Sequence, residues 1–239
     1  MIPAVLTIDS DFFSRELPEW DFGHNENNLI MGTDIVWNAR YASVDLHKET
    51  SLNYADCLPE DLFSMFLKHG HKIDKQTRIG AGWTHKYSYD FFKNIDFEYL
   101  INVDAHHDRY GKTSKIIDCE NWVEKLFQRH PFAYYWITPK WKSIENEDEH
   151  DALYGCSLNY FLETALPYNI KAVYIAQSPM WLPPHHDYDV FHPLCDTLKS
   201  ITKKKFFDYD QQILVRMCVG KEEAEKMRKE SKINKIKIN

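Results

Sequence analysis

Ile101-Asn102-Val103-Asp104-Ala105-His106-His107-Asp108-Arg109-Tyr110 is the stretch from which both the fold and the chemistry of this chain are read. The apolar run at residues 97–103 predicts a mostly buried strand. Asp104, His106 and Asp108 stand at its C-terminal end, and Arg109, Tyr110 and Gly111 turn away from it. Two carboxylates and an imidazole at alternate positions face one side for as long as the backbone stays extended. Hard and borderline divalent cations such as manganese accept this mixed oxygen and nitrogen set. A plain polar loop after a strand also favours Asp and His, so a second cluster is needed to decide.

The chain supplies one at its start. Ala4-Val5-Leu6-Thr7-Ile8 is a short apolar, β-branched run, and Asp9-Ser10-Asp11 follows it directly. The alternate spacing and the place at a strand end are the same. In open α/β sheets, ligands bind beyond the carboxyl ends of the strands. Two acidic strand ends facing one crevice repel unless cations lie between them. An Asx-capped turn explains either cluster alone, and explains both together less well.

Working outward, Ile79-Gly80-Ala81-Gly82-Trp83-Thr84-His85 joins a candidate strand to a helical run at residues 87–93. Its glycines imply a close backbone approach, and His85 is placed to reach the same crevice. The loop Leu17-Pro18-Glu19-Trp20-Asp21-Phe22-Gly23-His24-Asn25-Glu26 follows the first acidic pair, where it can line a substrate pocket. A second polar and aromatic loop, Trp181-Leu182-Pro183-Pro184-His185-His186-Asp187-Tyr188-Asp189, follows a strand at 171–176. Its adjacent His185, His186 and Asp187 cannot easily converge on one ion, so a rim or structural role is expected. Asp187 or Asp189 is expected to cap the helix starting at Val190.

Residues 35–37 read as a strand and 59–70 as a helix, with Pro59 in the first turn, acids at its positive end and Gly70 at its exit. Helices are expected at 121–127 and 160–166, a strand at 132–137, and a solvated acidic connector at 144–151. This alternation predicts an α/β fold with one domain over 1–220. A basic helix or frayed tail follows at 221–239, where seven Lys/Arg accompany four Glu.

The balance of 29 basic against 36 acidic residues, a net charge of -7, argues against a nucleic-acid binder. Five scattered cysteines without a CxxC pair suggest neither a disulfide framework nor a zinc finger. No secretory leader and no run of ~20 apolar residues is seen. A cytoplasmic protein without a membrane partner is therefore expected.

Asp104-Ala105-His106-His107-Asp108 resembles the Asp-Ala-His-x-Asp signature of the ureohydrolases, the arginase and agmatinase superfamily. Asp9-Ser10-Asp11 resembles that family's Asp-x-Asp signature, and His85 its histidine in a Gly-Asp-His-Ser loop. In ordinary arginases the Asp-x-Asp pair comes late in the chain; here it ends the first strand. That order, with the Ile8-Asp9-Ser10-Asp11-Phe12-Phe13 start, looks like the peptide arginases, which convert arginine side chains of ribosomally made precursor peptides to ornithine.

The resemblance implies a three-layer α/β/α arginase/deacetylase-like fold with a mostly parallel central sheet, and two Mn²⁺ ions per active site. Asp9 and Asp104 would bridge the ions, His85 and Asp108 would complete one position, and His106 and Asp11 the other. Asp11 or Asp108 would take a proton from the attacking water, and His24 or His107 would protonate the leaving amine. Glu26, then Asp21, are the candidates for holding the guanidinium, with Trp20 and Trp181 as aromatic walls beside Tyr188. The implied partner is an arginine-containing precursor peptide, and a homo-oligomer is compatible with the resemblance. The alternatives are a small-molecule ureohydrolase, a single-zinc deacetylase-type amidohydrolase, and a metal-stabilised peptide-binding module without turnover.

Overall fold

The computed structural model describes residues 1–17, 33–110, 113–142, 155–206, 216 and 218–238. Five parallel strands form one sheet: β1 (Ile2–Asp9), β2 (Arg78–Gly82), β3 (Tyr99–Val103), β4 (Ala133–Ile137) and β5 (Tyr168–Ala176), in the order β2-β5-β1-β3-β4. β1 lies in the middle, with Ala4, Val5, Leu6, Thr7 and Ile8 all buried. A parallel strand covered on both faces reads as a continuous apolar run, which is why it was legible. In β5 the register slips opposite Ala4 and Val5, leaving Lys171 exposed as the extra residue of a bulge.

Alternate side chains feed two separate cores. Ala4, Leu6, Ile8, Ile101, Val103, Val173 and Ile175 pack with the helices α3 (Leu62–Lys68), α6 (Leu158–Thr164) and α7 (His192–Thr202). Val5, Leu100, Ala172 and Tyr174 pack with α4 (Tyr87–Phe92) and α5 (Trp122–Arg129) on the other face. The fold is thus a three-layer α/β structure. Connections running toward the β2 edge carry α3 and α6 over one face. Those running toward β4 carry α4 and α5 over the other, as crossovers of a single hand require.

The glycines of β2 work as anticipated. A Cβ on Gly80 would sit 2.7 Å from the Phe91 ring, and one on Gly82 would strike the Tyr174 hydroxyl. α4 therefore rides close over β2, and His85 is delivered between them.

Two expectations are corrected. Residues 35–37 are not a strand but part of α1 (Thr33–Ser43), with Ile35 73% exposed and Trp37 buried. A run of three apolar residues is too short to carry a period. Neither Asp187 nor Asp189 caps α7. The chain enters that helix through Phe191, already helical, from a π-helical turn (Asp187–Phe191), and no side chain caps it. Asp187 is buried against Arg216 instead, with Arg216 Nε donating at 2.9 Å.

A smaller third core joins α1, α2 (Leu46–Glu49) and α8 (Lys221–Ile238) through Trp37, Tyr41, Leu46, Val219 and Ala224. The basic helix is therefore docked along one side, with Arg228 3.5 Å from Asp45. His185 and His186 are structural here. The Tyr41 hydroxyl lies 2.6 Å from His185 Nδ1, and His186 Nε2 lies 2.7 Å from the Thr50 carbonyl. The connector at 144–151 lies outside the described residues.

His71 gives the fold an acid-sensitive point. Its ring stacks between Phe161 and Tyr168, and Nδ1 accepts the Tyr168 backbone N–H at 3.2 Å. Burial, with His69 adding to it, pushes its pKa down to about 4. Protonation would remove the acceptor, so the neutral form stabilises the fold above the unfolded value of 6.5 and is lost as pH falls toward 4. Between pH 7 and pH 5 this should cost about 1–2 kcal/mol. Urea denaturation at the two pH values should show that loss, and His71→Phe should show a smaller one.

Candidate metal centre

The site is assembled where strands end. Asp9 closes β1, Asp104 follows β3, and His85 lies just beyond β2. Ser178 follows β5 in a left-handed conformation (φ 55°), with the bonds Gln177 N–H to Gly82 O and Ser178 N–H to Trp83 O prolonging the β2–β5 pairing. The extended backbone proposed for residues 104–108 is corrected: β3 stops at Val103, the loop bends, and Asp108 is left-handed at φ 54°. Convergence of these ligands comes from that bend and not from strand alternation.

All six expected ligands are brought together. Asp9, His85 and Asp104 form one group with ligand atoms within 4.8 Å of one another, and Asp11, Asp104 and His106 form a second. Asp104 belongs to both. His85 Nδ1 lies 3.2 Å from Asp9 Oδ2, 3.0 Å from Asp104 Oδ2 and 3.0 Å from Asp108 Oδ2. In the second group His106 Nδ1 lies 3.2 Å from Asp11 Oδ2. The Asx turn at the first pair is also present: the Asp11 N–H donates to Asp9 Oδ1 at 3.2 Å. The turn and the ligand pair are one structure.

Surrounding groups hold these side chains. The Asn102 amide donates to Asp104 Oδ2 at 3.2 Å, and the His106 N–H donates to Asp104 Oδ1 at 2.7 Å. Thr7 Oγ1 is 2.5 Å from His85 Nε2, and the Trp122 indole N–H donates to Asp108 Oδ2 at 2.5 Å.

One imidazole N–H cannot satisfy three carboxylates. His85 Nδ1 and Asp11 Oδ2, both buried, have no hydrogen-bond partner of acceptable geometry. Burial, together with repulsion from Asp11 and Asp104, pushes the Asp9 carboxyl up to about 8 against the pull of His85. Burial and Asp104 do the same to Asp108, also to about 8. Burial opposes charge on His85, yet Asp104, Asp108 and Asp9 hold it well above its ordinary range. His106, opposed by burial and Lys142, is drawn up to about 9 by Asp11 and Asp104. Asp104 stays low despite its burial because both histidines face it. Protons thus do, in the bare chain, what cations between the carboxylates would do better. The donor set is that of oxygen- and imidazole-binding divalent ions, and the residues fit them.

Above the ligands opens a cavity of about 330 Å³, lined by Asp9, His85, His106 and Asp108, with Glu16, Tyr110, Cys119, Glu120, Ser178 and Trp181. Trp181 lines it with its ring 5.3 Å from that of His106. Tyr188 is exposed against His192 and does not line this cavity. Nor does His107, whose ring packs against Tyr110 and Trp136 while its Nδ1 accepts the Arg109 N–H at 3.0 Å. Trp20, Asp21, His24 and Glu26 lie outside the described residues. Glu16 and Glu120 are additions. Glu16 follows the first acidic pair closely enough to have been noticed, whereas Glu120 has no signal beyond preceding a helix.

Compared with protein-family models, curated proteins and solved structures, the chain matches none of them. Among the described residues, no helix is long and apolar enough to cross a membrane.

The protein should take up two Mn²⁺ ions, measurable by elemental analysis after gel filtration. At a free ion concentration of one hundred times Kd, each should stabilise the fold by ~2.7 kcal/mol in thermal denaturation. His106→Ala should retain one ion, and Asp104→Ala should retain neither.

Proposed function

We propose that this chain is a two-metal hydrolase of the ureohydrolase type, acting on arginine side chains of a ribosomally made precursor peptide. A guanidinium and water give a primary ammonium on the ornithine side chain and neutral urea, so charge is conserved. The observation that carries this reading is the pair of ligand groups sharing Asp104 at the floor of a cavity whose walls bear two further carboxylates.

Asp9, His85, Asp104 and Asp108 would hold one ion, and Asp11, Asp104 and His106 the other. Bound there, divalent ions would lower the pKa of a water and stabilise charge developing on the attacked carbon. Two such ions bring four positive charges, matched by Asp9, Asp11, Asp104 and Asp108. Glu16 and Glu120 are then left to face the substrate, which favours a cationic group. Asp11 or Asp108 would accept the proton of the attacking water. With His107 packed away from the cavity, protonation of the leaving amine falls to His24. Trp181 and Tyr110 offer apolar faces to the methylene stem of an arginine side chain.

Among the described residues that line the cavity there is no Lys or Arg. The peptide is preferred to free arginine on the likeness of the Ile8-Asp9-Ser10-Asp11-Phe12-Phe13 start to the peptide arginases. The second ligand group, in which Asp11 Oδ2 faces His106 Nδ1 at 3.2 Å, supports two ions over a single zinc.

The test is incubation of the Mn²⁺-loaded chain with synthetic peptides carrying internal arginines, beside free arginine, read by mass spectrometry. A loss of about 42 Da per arginine with release of urea is expected, absent in Asp104→Ala. Turnover of free arginine alone would make it a small-molecule ureohydrolase. Two bound ions without turnover of either substrate would remove the hydrolase reading.

A further inference from the structure

The two ligand groups are supported unequally. His85 has its far nitrogen occupied by a buried hydroxyl, and the Asp108 oxygen that faces His85 is itself held by a buried indole. Thr7, two residues before Asp9 on the fully covered strand β1, sits 2.5 Å from His85 Nε2. Trp122, at the start of α5 and fully buried, gives its indole N–H to Asp108 Oδ2 at 2.5 Å, its ring 4.9 Å from that of His85. The loop bearing Asp108 is tied to α5 by further bonds. The Val123 N–H donates to the Asp108 carbonyl at 3.2 Å, and the Tyr110 N–H to the Glu120 carbonyl at 3.0 Å. Arg109 donates to Glu124 Oε2 from both Nε at 3.0 Å and a terminal nitrogen at 2.7 Å. This stitching keeps Asp108 at φ 54°, a conformation a non-glycine residue adopts only when its surroundings impose it.

Around His106 and Asp11 the support is thinner. The His106 side chain is a quarter exposed, its Nε2 has Glu16 Oε2 no nearer than 3.8 Å, and behind Asp11 stands only a long bond, from the Ala105 N–H to Oδ1 at 3.4 Å. A ligand whose far side is hydrogen-bonded is pre-aligned and loses less freedom when it closes on an ion, and removing such a partner typically costs metal affinity.

From this we infer that Thr7 and Trp122 are positioning residues, which hold His85 and Asp108 in ligating orientation and make theirs the tighter of two unequal ion positions. Thr7 accepts the Nε2 proton of His85 and so directs Nδ1 toward the ion, while Trp122 fixes which way the Asp108 carboxylate turns. The inference rests on the two-metal reading and adds an order of filling to it.

The experiment is calorimetric titration of the metal-free full chain with Mn²⁺, accompanied by circular dichroism. The wild type should show two affinities, with His106→Ala removing only the weaker. Thr7→Val, which keeps the shape and loses the oxygen, and Trp122→Phe, which keeps a ring in the core and loses the N–H, should each weaken the tighter step by about 10–100-fold. The weaker step should change little, and Thr7→Ser should restore the tighter one. If Trp122→Phe does not fold, Glu124→Gln loosens the same loop through Arg109 while leaving the indole in place, and should weaken the same step. Folded variants with wild-type affinity at both steps would overturn the inference while leaving the two-metal reading intact. So would equal weakening of both steps, which marks a general loss of stability. A wild type that binds no divalent ion would overturn both.

Discussion

Three carboxylate oxygens within 3.2 Å of one buried imidazole nitrogen set the terms for the rest of this molecule. Like charges at such separations, removed from water, repel by several kcal/mol even with generous screening. The arrangement persists only if positive charge lies among them, and protons are the poorest form of it. Much of the surrounding architecture can be understood as holding these groups together. β1 is covered on both faces, so that Asp9 and Asp11 leave a rigid strand. Asn102 spends its amide on Asp104 and on the His106 carbonyl. α5 grips Asp108 by side chain and carbonyl at once.

The sheet order brings the ligands to one place. β1 and β3 are neighbours, so Asp9 and Asp104 emerge side by side. His85 comes from β2, two strands from β1, and must cross the end of β5. It can do so because the close approach at Gly80 and Gly82 lets α4 settle low over the sheet, carrying the turn before it inward. A side chain on Gly80 would lift that helix, and one on Gly82 would displace Tyr174 of β5. The conformational freedom of glycine is not what is used here; the missing Cβ is.

Most of this was legible because it is local. Strands buried on both faces announce themselves as apolar runs, and acidic pairs at strand ends announce a crevice. Residues 35–37 misled because three apolar side chains in α1 carry no measurable period. Asp187 misled because its partner, Arg216, is 29 residues away and no local rule points to it. The same limit hid Glu120 and Trp122. They matter through what stands across from them, and only the fold brings them across.

The contrast between the halves of the site follows from the same division. The signature residues of both halves lie in three short stretches, and the sequence treats them as equivalent. The fold does not, because it sets a buried indole and a buried hydroxyl against Asp108 and His85 and leaves the His106 side chain a quarter exposed. A buried half with pre-aligned ligands suits a resident ion. Glu16 and Trp181 line the cavity beside His106. The asymmetry is set by Thr7 and Trp122, residues that are not themselves in either ligand group.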